Sequence, residues 1–298
     1  MSSFLILEPS PAIQKDWISL IGFPESYDIF YAGEKNVDID SVVGVVVRSG
    51  ITVNRELIDT YPSLRYICRV GVGIENIDTI YAKEKNIAVI NTPGANANAV
   101  ADLVLLGILY LQRKMYICER SYEKRFSYLG HELSTQTVGI LGFGNIGKKI
   151  YQRLLAFGVT NFLIYDPYLS SDIVSSFQYC NKKNTIEEVF GKSNIISLHL
   201  PLTPETRLLI HADVLSLTKN DLCLINTSRG GIVDEDALYS FLCKNRDASA
   251  FFDVREEEPN LGPKISQLLT LPNFLLTPHI GAMTHEANKN MHIFTCPS

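Results

Sequence analysis

Apolar positions along the chain gather into short runs separated by polar stretches. The first half reads FLILE, a helical pattern near residues 12–21, YDIFYA, VVGVVV, a helical pattern near 53–60, then LRYIC. From residue 137 the alternation is cleaner: TVGILG, a helix over 145–158, NFLIYD, a helix over 184–190, NIISLHL, DLCLINT, a helix over 234–244, SAFFDV and FLLTPH. Strand runs that alternate with helical patterns predict an α/β protein built on parallel sheets. Runs such as NIISL and CLIN are apolar without strict alternation, as in strands covered on both faces. The chain breaks at NTPGANAN, where Pro93-Gly94 precedes a helix of roughly 20 residues. Two lobes are expected, residues 1–92 and 93–282, followed by a short return segment, 283–298.

Composition narrows the class. A chain of 298 residues can bury two cores, and 46% hydrophobic with 20% charged residues is globular. A net charge of −5 and a pI near 5.7 argue against a nucleic-acid or anionic-membrane partner. The N-terminal MSSFLILEPSP lacks a basic segment and reads as a first strand, not a leader. The longest apolar run, from Ala99, carries Asp102 and is too short to span a bilayer. Six scattered cysteines, Cys68, Cys118, Cys180, Cys223, Cys243 and Cys296, form no CxxC pair, which suggests free thiols and a cytoplasmic location. No histidine, cysteine and carboxylate set has metal-ligand spacing, and His199, His211 and His285 read as structural.

The segment VGILGFGNIGKKI is more specific. Gly142, Gly144 and Gly147 follow an apolar run and precede the helical pattern of Ile146, Ile150, Leu154 and Leu155. Asp166 closes the next apolar run about twenty positions beyond the third glycine. In that setting Gly142 permits a tight turn, Gly144 lets backbone approach a pyrophosphate, and Gly147 lets helix and strand pack closely. The amides of Asn145 and Ile146, at the positive helix end, would face the phosphates. A carboxylate at Asp166 suits the ribose hydroxyls of NAD and repels a 2′-phosphate. Pro167, Tyr168 and Leu169 offer no cation to reverse that preference. A purely structural turn is the competing reading.

Later strand ends carry polar residues that such a fold brings beside a nucleotide: Arg229 in INTSRGGIVDE, Glu258 in DVREEEP and His279 in TPHIGA. A cation, an acid/base and a tuning carboxylate are what hydride transfer to or from a hydroxy acid requires. Glu256 and Glu257 compete with Glu258, which only the following Pro259 singles out.

From VVVRSG to TPHIGA the chain resembles the D-isomer-specific 2-hydroxyacid dehydrogenases, most closely the phosphoglycerate dehydrogenases. The resemblance rests on RVGVGIENID, NTPGANANAVADLVL, GILGFGNIGK, YDPY, LHLPLTPET, NTSRGGIVDE and TPHIGA, in that order. It implies a Rossmann-type NAD-binding domain with a flavodoxin-like substrate-binding domain, a homodimer through the long helix, and a place in serine biosynthesis. It implies that Arg229 holds the substrate, that His279 is the acid/base and that Glu258 raises its pKa. Gly71, Val72 and Gly73 would bind the substrate carboxylate. Thr227, Ser228, Arg229, Asp253 and His279 would border the nicotinamide, with Gly281 and Ala282 beside them, and Leu200 would line the adenosine side. Arg48, with Ser49, and Arg69 would grip a distal phosphate, whose oxygens match two guanidinium forks. The implied substrate is 3-phosphoglycerate. Glyoxylate, hydroxypyruvate or D-lactate reduction on the same scaffold is the alternative, and an NAD-sensing corepressor of the C-terminal-binding-protein type a more distant one. The family's closing helix is expected to be short here, since Glu286 to the end allows at most about 18 Å of helix.

Overall fold

The computed structural model describes residues 2–7, 27–117 and 128–293. The expected helix near 12–21, Cys118 and Cys296 lie outside these residues. The chain divides into two compact units, Met1–Asn96 with Met283–Ser298, and Ala97–Ala282.

In the first unit the described strands are β1 (Ser3–Ile6), β2 (Asp28–Tyr31), β3 (Val42–Val47), β4 (Tyr66–Arg69) and β5 (Ala88–Ile90). They pair in parallel in the order β2-β1-β3-β4-β5, the flavodoxin-like arrangement. Leu5, Val45, Val47, Ile58, Ile67 and Ile77 form its core. The residues of β3 are apolar and buried throughout, because helices and loops cover both faces. The closing helix His285–Ile293 belongs to this unit.

In the second unit the strands are β6 (Val138–Leu141), β7 (Phe162–Tyr165), β8 (Cys180–Lys182), β9 (Ile195–Leu198), β10 (Cys223–Asn226), β11 (Ser249–Phe252) and β12 (Phe274–Leu276). All pairings are parallel, in the order β12-β11-β10-β9-β6-β7-β8. This is the doubly wound Rossmann order with one further strand, and it reverses direction between β6 and β9. Side chains alternate between two apolar layers. Ile140, Ile164 and Ile225 face one, with Val104, Ile108 and Leu154, while Leu141, Leu163 and Leu224 face the other, with Phe190, Leu215 and Leu238. The long helix spans Ala97–Gln112, 16 residues where a longer helix was expected, and contains the whole apolar run that begins at Ala99. It crosses β11 so closely at Gly107 that a Cβ there would collide with the Phe251 ring. Cys68, Cys180 and Cys223 are buried thiols and Cys243 is exposed.

Candidate active site

The glycine segment folds as its spacing requires. Gly142 sits at φ +88°, and a Cβ on it would strike the His199 carbonyl. At Gly147 a Cβ would strike the Gly142 carbonyl, which fixes the closeness of turn and helix. Gly144 is different: a Cβ would meet nothing within 4 Å. The loop is therefore open at Gly144, the position at which the sequence spacing brings a phosphate to the backbone. The helix Asn145–Ala156 begins there with Gly144 as its N-cap and no side-chain cap. Its first amides, those of Asn145 and Ile146, are left for an anion, as NAD requires.

Asp166 is tied to this loop. Its Oδ2 accepts from the Phe143 amide at 2.9 Å and its Oδ1 from the Tyr168 amide at 3.0 Å. Each carboxylate oxygen keeps a second lone pair for a ribose hydroxyl. Leu200 is buried beside the Gly142 turn. Ser197 Oγ lies 2.7 Å from His199 Nε2, and burial pushes the His199 pKa down to about 3, so this imidazole is neutral.

The turns after β10, β11 and β12 supply the remaining groups. Asn226, at the end of β10, wraps the turn that carries Arg229. Its Oδ1 accepts from the Ser228 amide and hydroxyl (3.1 and 2.7 Å), and its Nδ2 donates to the Arg229 carbonyl at 3.0 Å. Sequence reasoning passed over Asn226, although an Asn before a Gly-containing turn is a known signal. Thr227 Oγ1 is buried with no hydrogen-bond partner among the described residues.

Asp253, just after β11 and 1% exposed, was expected only to border the nicotinamide. Its carboxylate also organises the turn after β12, accepting from Thr277 Oγ1 (2.5 Å), the Ile280 amide (2.8 Å) and the Gly281 amide (2.7 Å). That turn holds His279 at φ +56°, where few side chains are at ease.

His279 Nδ1 and Glu258 Oε2 are 2.7 Å apart. Of the three adjacent carboxylates, Glu256 instead pairs with Arg207 and Glu257 lies against Gly262. The hydrogen bond to Glu258 raises the His279 pKa; burial and the Arg229 charge oppose it, while the charges of Glu258 and Asp253 reinforce it. Burial pushes the Glu258 carboxyl up. The His279 hydrogen bond and charge, with the Arg255 amide and charge, outweigh that and hold it below its ordinary range. An ionised Glu258 accepts a hydrogen bond from Nδ1–H, which keeps the proton on Nδ1 and leaves Nε2 of a neutral His279 as a base.

The model of the D-isomer specific 2-hydroxyacid dehydrogenase NAD binding domain matches residues 106–281. The chain belongs to this family. It is 39% identical over 260 residues to the D-3-phosphoglycerate dehydrogenase of Methanocaldococcus jannaschii, which covers 86% of this chain and 48% of that protein. It is 38% identical over 260 residues to the hydroxypyruvate reductase of Thermotoga maritima, covering 86% and 83% respectively. The fold matches the crystal structure of Aquifex aeolicus D-lactate dehydrogenase complexed with NAD and lactic acid, with a TM-score of 0.79 at 27% identity, covering 97% of this chain and 92% of that one. The chain thus spans about half the length of the archaeal phosphoglycerate enzyme and most of the other two. Within the family, the second unit is the NAD-binding domain.

The first unit presents its own cluster. Val47 pairs with Arg69 across β3 and β4, so Arg48 and Arg69 end neighbouring parallel strands. The Arg69 guanidinium lies against Gly71, where φ is +136° and a Cβ would collide with Nη1. The Gly71 amide donates to Thr92 Oγ1 at 3.1 Å, and the Val72 carbonyl accepts from Asn91 Nδ2 at 2.6 Å. Gly71, Val72, Gly73 and Arg69 therefore form one compact corner. Arg48 Nη2 lies 3.9 Å from Met283 Sδ, and Ser49 is exposed.

Proposed function

We propose that the chain is an NAD-dependent dehydrogenase of D-2-hydroxy acids, with 3-phosphoglycerate, or a similar acid bearing a distal anion, as its substrate. The His279–Glu258 pair beside the Arg229 turn carries this reading, because it supplies a poised base and a cation on one side of an open glycine loop. Bound NAD would supply the hydride acceptor. Gly144, Asn145 and Ile146 hold its pyrophosphate, Asp166 its ribose, and the Thr227–Ser228 turn borders the nicotinamide. Arg229 orients the substrate carboxylate and carbonyl oxygen, and His279 Nε2 takes the hydroxyl proton as hydride leaves the same carbon. The reverse reduction uses the same groups with His279 protonated.

The amides of Val72 and Gly73 bind the substrate carboxylate, while the Gly71 amide, expected to join them, is taken by Thr92 Oγ1 and shapes the turn; Arg48 and Arg69 bind the distal phosphate. Two guanidiniums at adjacent strand ends favour a dianion over a small neutral tail. Leu106 on the long helix is 61% exposed, and we take that helix as the contact of a cytoplasmic homodimer. Steady-state rates with NAD(H) on 3-phosphoglycerate, glycerate, lactate and the matching keto acids test the reading. The highest kcat/KM should fall on the phosphorylated acid; a preference for hydroxypyruvate or lactate would replace it with the reductase alternative.

A further inference from the structure

Glu235 is an acidic residue buried where the fold gives it no helix-capping task. It opens the helix Glu235–Lys244 at 5% exposure, yet Asp234 already caps that helix, accepting from the Asp236 and Ala237 amides. Burying a carboxyl group is costly unless it is satisfied locally. The partner found here is the Glu256 amide, which donates to Glu235 Oε1 at 3.1 Å.

That amide belongs to the peptide joining Arg255 to Glu256, and this peptide with the one before it touches both halves of the proposed acid–base machinery. Gly230, next to Arg229, packs directly on it, and a Cβ at Gly230 would collide with the Arg255 carbonyl. The Arg255 amide, one residue earlier, donates to Glu258 Oε1 at 3.1 Å, and Glu258 Oε2 in turn meets His279. The Arg255 side chain binds the Asn260 carbonyl at 2.7 Å and the Pro259 carbonyl, closing the loop upon itself. Between the Arg229 turn and the Glu258 loop, the backbone of Arg255 acts as the spacer.

We infer that Glu235 is a positioning residue: by holding the Arg255–Glu256 peptide against Gly230, it fixes Glu258 in place to orient His279. The inference rests on the acid–base reading proposed above. The acceptor oxygen does this work, and a negative charge is not needed. Burial pushes the Glu235 carboxyl up; the charges of Glu256 and Glu257 add to this, while the Glu256 amide and Lys264 oppose it. The groups facing His279 are Glu258, Asp253 and Arg229, and none of them is altered by changing Glu235.

The test compares Glu235→Gln, which keeps an acceptor at the same reach without charge, with Glu235→Asp, which keeps the charge but falls short, and with Glu235→Ala. Each full-length variant is assayed for kcat across pH, NADH affinity by fluorescence titration, and Tm. Glu235→Asp and Glu235→Ala should lose about 10- to 100-fold in kcat, the scale for small misplacement of a catalytic group. In both, the His279 limb of the pH profile should move to lower pH with NADH affinity kept. Glu235→Gln should stay within about twofold of the parent, with its limb unmoved. Should Glu235→Ala fail to fold, the Asp and Gln pair still decides. Gln impaired with Asp intact overturns the inference, as does a lower Tm in every variant with unmoved kcat and limb. Glu258→Gln in the same panel separates the two claims. If it moves the limb and Glu235→Asp does not, only the positioning role falls; if neither moves it, the acid–base reading falls as well.

Discussion

Glu258 Oε2 and His279 Nδ1, twenty-one positions apart, meet at 2.7 Å. The pair raises His279 above its ordinary value of 6.5 and holds Glu258 below 4.5. Glu258→Gln removes the ionised partner, so the His279 limb of kcat/KM against pH should move to lower pH in both reaction directions. The stability effect has a definite window. The His279 part is complete below its ordinary value and lost as pH rises through the raised one. The Glu258 part is present above its ordinary value and lost as pH falls through the depressed one. The parent should thus gain on the variant most between about pH 4.5 and 6.5. With the side chains 48% and 31% exposed, that gain in Tm is small, and the pH–rate profile is the sharper measurement.

His279→Ala should lower kcat by about 10²–10⁴-fold while NADH affinity stays close to the parent's, the usual scale for a lost acid/base. Arg229→Ala should differ by raising KM as well, because a charge-assisted contact to substrate is removed. Equal loss of NADH affinity in both would return these residues to the cofactor site alone.

Two glycines two positions apart in the sequence motif should separate cleanly. Gly142→Ala puts a side chain at φ +88° against the His199 carbonyl, and should cost about 1–3 kcal/mol of stability. Gly144→Ala enters open space and should keep its Tm, yet weaken NADH binding where the pyrophosphate comes to the backbone. A Gly144→Ala enzyme with full NADH affinity would contradict the cradle.

Asp166→Asn keeps one oxygen for the Phe143 amide while removing the charge. It should narrow the preference for NAD over NADP, read as the ratio of the two kcat/KM values. A parent that already favours NADPH would count against the assignment of Asp166.

Arg69→Ala should raise KM for 3-phosphoglycerate and leave glycerate nearly untouched. Equal effects on the two acids would show that Arg69 serves the Gly71 corner and not a distal anion.

What could be read in advance follows from how local each feature is. The spacing of Gly142, Gly144 and Gly147 encodes a turn geometry within a few residues, so it was legible without a structure. Strand β3 was legible because burial on both faces leaves it apolar throughout. By contrast, β8 is a three-residue edge strand, CNK, with no hydrophobic signature to announce it. The hold of Asp253 on Ile280 and Gly281 joins residues that only the β11–β12 pairing brings together. Glu235 looked like any acid at a helix start; its burial is a tertiary fact. Three consecutive acids at 256–258 have different fates because the loop turns a different face at each.

The seam between β6 and β9 has a consequence for how this molecule tolerates change. The glycine loop and Asp166 hang from β6 and β7, while Arg229, Glu258 and His279 follow β10, β11 and β12, and the strand ladder joins the two sets through the β6–β9 pairing, which runs from Val138 with Ile195 to Leu141 with Leu198. A strand ladder can slip only in steps of about 3.3 Å, several times the misplacement a reacting atom survives. Insertions in the surrounding loops can therefore accumulate with little penalty. A single residue gained or lost inside β6 or β9 would turn that strand's buried side chains to the opposite layers and put the cofactor half and the acid–base half out of step with each other.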